Sequence, residues 1–296
     1  MKKLFTALLL ASLITLAMAK DIDIIKAKGT EQSVISSLTP PPVNMDVDQD
    51  VVLKAVFDVE LDAKHVQKNN VKLKYITQTK ESIIDGEVAY NANENAVTFK
   101  PSALLIYGYY EVEFKSLKAI KAEKSQQIKE IKYRFYVPEV INGYKLPPEP
   151  DETLNNSTLL GIDVNDNGVR DDVERWIYIT YKDKHPIYID IALQAARGYK
   201  IILEEAENAK EIHYEATAYI DCISYYENYA KYFNEKILIE DNFDLEYFRV
   251  KIYFNTQSRK DRYDQYDRLL SGDSYSLPKI KDLKSKCDFD TNKYEE

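Results

Sequence analysis

Residues 95–114 read NAVTFKPSALLIYGYYEVEF, and the alternation within them decides the fold of the first half of the chain. Val97 and Phe99 stand two apart ahead of Pro101, and Tyr110, Val112 and Phe114 alternate with Glu111 and Glu113. Successive side chains of a strand point to opposite faces, so this pattern buries one face and leaves the other in water. The same period runs outward on both sides. Val51, Leu53, Ala55 and Phe57 alternate with Val52, Lys54 and Val56; Val71, Leu73 and Tyr75 alternate with lysines; Ile131, Tyr133, Phe135 and Val137 close the series. Turn signals separate the runs at Pro40-Pro41-Pro42, Asn69-Asn70, Asp85-Gly86 and Asn93 to Asn95. About seven short strands in roughly a hundred residues predict an antiparallel β-sandwich over residues 38–137.

The stretches SLTPPPVNMDVDQDVVLKAVFDVELD, NAVTFKPSALLIYGYYEVEF and YRFYV together resemble the bacterial Ig-like domains of surface-layer and other exported proteins. Phe57, Leu61-Asp62, Phe99, Pro101, Leu105, Gly108, Tyr110 and Val112 fall on that family's pattern. The resemblance covers about a third of the chain. It implies an Ig-like sandwich, with Tyr110 as a corner tyrosine hydrogen-bonding back to the chain, and a role in spacing, presentation or adhesion without catalytic residues.

Beyond residue 137 the character changes. Pro138, Pro147, Pro148 and Pro150, with Asn142-Gly143 and Asn155-Asn156, read as a stiff connector over 138–160. Residues 161–296 then read as a loop followed by a helical bundle. Ile191, Ala195, Tyr199 and Ile202 repeat at helical spacing after Pro186, a first-turn proline. Ile212, Ala216, Tyr219, Ile220, Ile223, Tyr226, Ala230 and Phe233 form a longer apolar stripe. Tyr263, Tyr266, Leu269 and Leu270 share a face of a third helix, entered at Asn255-Thr256 and stopped at Ser271-Gly272.

One constellation carries chemistry. Asp163 to Glu174 reads DVNDNGVRDDVE, which fills every position of D-x-[DN]-x-[DN]-G-x₅-E. Calcium takes six to eight hard oxygen ligands at about 2.3–2.6 Å. The spacing offers Asp163, Asn165, Asn167, the Val169 carbonyl, Asp171 and a bidentate Glu174, with Gly168 at the sharp turn. The competing reading is a bare helix start, with Asp171-x-x-Glu174 as a capping box and Asp171 at the N-cap. That reading leaves Asp163 and Asn165 unexplained. Arg170 stands at position 8, where paired calcium loops carry an aliphatic residue. Asp288 to Asn292 opens like a second loop but lacks the glycine. The loop is therefore expected to be solitary, with an exiting helix only, and weak, on the order of 10⁻⁴ to 10⁻³ M. The longer stretch INGYKLPPEPDETLNNSTLLGIDVNDNGVRDDVERWI, with RLLSGDSYSL and a late cysteine, resembles a group of exported bacterial proteins sharing a GxDxNxNGVRDDVE core. That resemblance implies the module and no activity.

Met1 to Ala19 reads as a signal peptide: Lys2 and Lys3, an apolar run from Leu4 to Leu16, and Ala17-Met18-Ala19 as the cleavage pattern. Residues 20–37 form an N-terminal segment. An exported chain with two cysteines, Cys222 and Cys287, is expected to join them. Closing such a loop stabilises by roughly 4 kcal/mol in the chain-entropy model.

The 296 residues carry 40 basic and 49 acidic side chains, a net charge of −9. Such a balance disfavours nucleic acid and anionic membrane surfaces as partners. Eight glycines without GxGxxG or GxxxxGK[ST] leave no phosphate cradle, and three scattered histidines offer little for His-based catalysis. Of 24 tyrosines, 17 follow residue 137, on stripes that suit a half-buried core. The sequence thus predicts a non-enzymatic exported binding or structural protein. It meets an unknown envelope protein or glycan and has no membrane span in the mature chain. A polysaccharide hydrolase using carboxylates of the helical part, and a carbohydrate binder using surface tyrosines, stand as alternatives.

Overall fold

Alternating apolar residues become two four-stranded sheets in the computed structural model, which describes residues 34–294 apart from 78, 79, 122, 123, 242 and 273. The expected leader, and most of the segment after it, lie outside the described residues. One sheet has the order β1 (Ile35–Thr39), β2 (Leu53–Phe57), β6 (Ala96–Pro101), β5 (Gly86–Asn91). The other runs β10 (Ile131–Val137), β7 (Gly108–Phe114), β3 (Val71–Ile76), β4 (Glu81–Ile84). A separate hairpin joins β8 (Lys118–Lys121) to β9 (Lys124–Gln127). All pairs are antiparallel. Leu73, Val112 and Tyr133 stand opposite one another across three strands, as do Tyr75, Tyr110 and Phe135. In the facing sheet Leu53 pairs with Phe99 and Ala55 with Val97. Their inward faces form one core, each large apolar side chain contributing roughly 1.5–3 kcal/mol. The first half is thus an Ig-like β-sandwich.

The outward face of β7 shows the other half of the period. Glu113 meets Lys132 at 2.8 Å, and Glu111 meets Arg134 at 3.0 Å and Lys74 at 3.4 Å. Burial pushes the Glu113 carboxyl up, but the hydrogen bond and charge of Lys132 outweigh it and hold it below its usual value. Tyr110, fully buried, donates its hydroxyl to the Ile106 carbonyl at 2.8 Å while its ring stacks on Phe135. This is the corner contact expected from the resemblance. Burial, chiefly, pushes its phenol up to about 12.

The chain divides into two compact units at Glu139 and Val140. The second begins with a hairpin, β11 (Val140–Ile141) and β12 (Tyr144–Lys145), turned by Asn142 (φ 52°) and Gly143 (φ 81°). Asn142 donates to the Lys182 carbonyl at 2.7 Å, Leu146 is buried in the helical core, and Arg175 donates to the Pro147 carbonyl at 2.9 Å. A short helix, α1 (Glu152–Asn156), follows, capped by Asp151. Much of the stretch read as a connector is therefore folded onto the helical unit. Prolines forfeit a donor but keep a carbonyl that Arg175 can use.

Four longer helices complete this unit around α3: α2 (Asp171–Tyr181), α3 (Ile187–Glu205), α4 (Ala209–Ala216) and α6 (Gln257–Leu270), with the two-turn α5 (Ala218–Ser224). Pro186 is the N-cap of α3 and not a residue of its first turn. Ile191, Ala195, Tyr199 and Ile202 are buried, as their spacing predicts. The stripe from Ile212 to Phe233 is not one helix. It breaks at Thr217, whose hydroxyl donates back to the His213 carbonyl at 2.6 Å, and winds with wider turns over Tyr225–Tyr229 before Asn234 ends it left-handed. The break turns Ile220 and Phe233 toward solvent. Helix α6 starts and stops where predicted, at Thr256 and Ser271, but Leu269 is exposed. No helix among the described residues is long and apolar enough to cross a membrane.

The corner contact makes the first testable point. Tyr110→Phe leaves the Ile106 carbonyl without its donor and is expected to destabilise the sandwich by about 1–2 kcal/mol in chemical denaturation. An unchanged midpoint would remove this bond from the account of the fold.

Candidate metal centre

The loop between α1 and α2 is closed at its base by backbone. Asp171 N–H donates to the Ile162 carbonyl at 2.8 Å, and Ile162 N–H donates to Asn155 Oδ1 at 2.9 Å. Inside this neck the short side chains fold the chain over themselves. Asp163 accepts from the N–H groups of Asn167 (3.1 Å) and Gly168 (2.9 Å), and Asn167 Oδ1 accepts from Val169 N–H at 2.8 Å. Asp166 (φ 54°) and Gly168 (φ 84°) take the left-handed turns, Gly168 at the position where the motif requires one.

Two carboxylates sit at the bottom. Glu174 is fully buried and receives Tyr144 Oη at 2.5 Å, Asn167 Nδ2 at 2.7 Å and Asn165 Nδ2 at 3.2 Å. Asp171 is fully buried too. Its Oδ1 accepts from Val164 N–H at 3.1 Å, and its Oδ2 has no hydrogen-bond partner among the described residues. Burial pushes the Asp171 carboxyl up to about 8 against the Val164 hydrogen bond, and the carboxylates of Asp163, Glu174 and Asp172 push the same way. Glu174 is also raised by burial, opposed by its three donors.

The predicted ligands thus lie in one group. Asn165 and Asn167 converge on Glu174, Asp163 holds the turn between them, and Asp171 closes the loop onto Val164. Val169 is buried with the helical core. The N-cap of α2 is Arg170, without a side-chain cap bond. Asp171 is therefore a first-turn residue whose carboxylate points back into the loop, and not the capping residue of the bare-turn reading. No three His, Cys, Asp or Glu side chains are grouped for a metal among the described residues. The donor set here mixes carboxylates with amide and carbonyl oxygens, which is what a hard cation such as calcium takes.

The distant partners of the supporting residues carry no sequence signal. Tyr144, 30 residues upstream, stacks on Tyr178 (centroids 4.2 Å apart) as it reaches Glu174. Arg170 is buried; it grips Asp172 and donates to the carbonyls of Tyr253 and Ile252 at 3.1 Å. Arg259, fully buried on α6, donates to the carbonyls of Asn155, Thr158 and Leu159 and to the side chains of Asn156 and Asn255. It thereby fixes the entry to the loop. Both cysteines are consumed in one disulfide, Cys222–Cys287, with Cα atoms 5.1 Å apart. Tyr199, Tyr225, Tyr226, Tyr253 and Tyr266 are core residues, whereas Tyr214, Tyr232 and Tyr247 are exposed.

No family model and no curated protein matches the chain. Solved structures similar to part of the chain include the copper resistance protein PcoC from Escherichia coli, at 17% identity over 35% of this chain and 97% of that one, TM-score 0.28. CopC from Methylosinus trichosporium OB3b is 16% identical over 36% of this chain and 93% of its own, TM-score 0.27. Domains 1–6 of the surface-layer protein SbsC are 16% identical over 36% of this chain and 15% of theirs, TM-score 0.27. At these values the likeness transfers neither copper nor lattice chemistry to this chain.

The raised Asp171 carboxyl has a consequence for stability without metal. The folded state holds its proton up to about pH 8, whereas an unfolded aspartate releases it near 4. The folded state is thus favoured fully below about pH 4 and loses this advantage as pH rises through about 8. In chelator, Asp171→Asn is therefore expected to melt several degrees above wild type at pH 8, with the gap closing toward pH 4. One kcal/mol shifts Tm by roughly 2–4 °C in a domain of this size. A gap independent of pH contradicts the assignment.

Proposed function

We propose that this is an exported, non-enzymatic structural or binding protein whose helical unit is ordered by one calcium ion. Asp163, Asn165, Asn167, the Val169 carbonyl, Asp171 and Glu174 are the ligands. The supporting observation is the pair of fully buried carboxylates at Asp171 and Glu174, one with an oxygen that no donor among the described residues satisfies. A buried carboxylate is costly unless protonated, hydrogen-bonded or paired with a cation, and a divalent cation answers both groups at once. Each asparagine amide carries a donor and an acceptor. Its nitrogen serves Glu174 in this arrangement, and its oxygen suits calcium.

Calcium here acts on architecture. Glu174 is tied through Tyr144 to the hairpin that opens the helical unit, and Asp163 to the turn ahead of α2. Fixing the ligands therefore holds that hairpin and that turn in place. The Ig-like unit supplies spacing and presentation, and the helical unit meets a partner in the cell envelope, protein or glycan.

Thermal melting with and without calcium tests the reading. At a hundred times Kd, linkage adds about 2.7 kcal/mol, roughly 5–10 °C. Asp163→Ala and Glu174→Ala are expected to abolish that rise. The single tryptophan, Trp176, stands two residues past Glu174 and gives an independent fluorescence titration. Superimposable melts in calcium and EGTA would exclude a calcium role.

A further inference from the structure

The C-terminal segment lies along one stripe of α3. Asp190 receives the Tyr294 hydroxyl and pairs with Lys293, Gln194 Nε2 donates to the Lys286 carbonyl at 2.7 Å, and Arg197 grips Asp288 with two bonds of 2.8 Å. Positions 190, 194 and 197 share one helix face. Cys287, immediately before Asp288, is bonded to the buried Cys222 of α5. The stem of Arg197 also runs beside the loop: a Cβ placed on Gly168 would stand 3.5 Å from Arg197 Cγ and 3.7 Å from its Cδ. One residue therefore joins the tail to the calcium loop.

We infer that Asp288, held in place by the Cys222–Cys287 bond, sets the calcium affinity of the loop by neutralising Arg197. This rests on the calcium reading above. The stem of this guanidinium runs beside Gly168, whose N–H donates to the Asp163 carboxylate at 2.9 Å, so its charge stands on the same side of the molecule as the loop's acidic group. Uncompensated, it repels a divalent cation; paired bidentately, it does not. The Arg197–Asp288 pair is about one-third exposed on each side and would be weak between free partners. The disulfide supplies what the pair lacks, a high local concentration of Asp288. Arg197 and Asp288 are thus positioning residues, and the cross-link acts on the metal from a distance.

Calcium titration of the full chain, followed by Trp176 fluorescence, decides the matter. Asp288→Asn keeps the disulfide and is expected to raise Kd about three- to tenfold. The double variant Cys222→Ala/Cys287→Ala is expected to do the same, and adding Asp288→Asn to it to do no more. Because the effect is electrostatic, Arg197→Met combined with Asp288→Asn is expected to restore the wild-type Kd, which a merely structural contact would not. Wild-type Kd in Asp288→Asn, or no rescue by Arg197→Met, overturns the coupling while leaving the calcium site standing. No binding by the wild type overturns the calcium reading itself, and the coupling with it.

Discussion

Two carboxylates in a dry place govern the helical unit. Asp171 and Glu174 stand in the first turn of α2 with no accessible surface, and together they carry more negative charge than their donors match. Glu174 is answered by a phenol and two amides, Asp171 by a single backbone N–H. Arginines are close at hand, yet they are spent elsewhere. Arg170 pairs with Asp172, and Arg259 holds the carbonyls of residues 155–159. Cationic side chains build the frame while the loop itself keeps its negative charge. Such a division makes sense only where the missing positive charge comes from outside the chain or from protons.

The frame explains how a short segment holds this tension. Helix α3 runs through the unit with Ile191, Ala195, Tyr199 and Ile202 turned into the core, and it presents residues 190, 194 and 197 to the tail. Gly198 lets α4 approach so closely that a Cβ there would stand 2.3 Å from the Ala216 carbonyl oxygen. The loop is thus stretched between rigid supports: α2 on one side, the Arg259-bound entry on the other, and the Tyr144 hairpin behind. Rigid supports keep ligands near their working positions, which lowers the ordering cost of binding an ion.

How much of this could be read from sequence follows from the range of each signal. The sandwich was legible because a period of two is local, and because the turns at Asp85-Gly86 and Asn93 to Asn95 fall where the sheet needs them. The loop was legible because its donors occupy fixed positions within twelve residues. Tyr144, Arg259 and the Arg197–Asp288 pair were not, since they act across 30, 100–104 and 91 residues. Nothing in local spacing records such partners. The proline-rich stretch misled for a different reason. Pro, Asn and Gly mark a free connector and a packed hairpin alike, and only tertiary contacts, such as buried Leu146 and the Asn142–Lys182 bond, distinguish them. The broken stripe near Thr217 shows the same limit: apolar spacing specifies a face, while a single hydroxyl bonding back to His213 decides where the helix ends.

Arg170 sets this loop apart from a paired calcium loop. In a paired calcium loop this position meets its twin through an aliphatic side chain, and the two ions are bound as a coupled set. Here the guanidinium crosses instead to the carbonyls of Ile252 and Tyr253, with its carbon above the Tyr253 ring at 5.3 Å. Arg170 is thus committed to the chain's own segment at Ile252 and Tyr253. Coupling between two sites gives calcium sensors a steep response, and on the proposed reading of one loop that response would be shallow. Under the calcium reading proposed above, an ion held this way would serve architecture and not signalling.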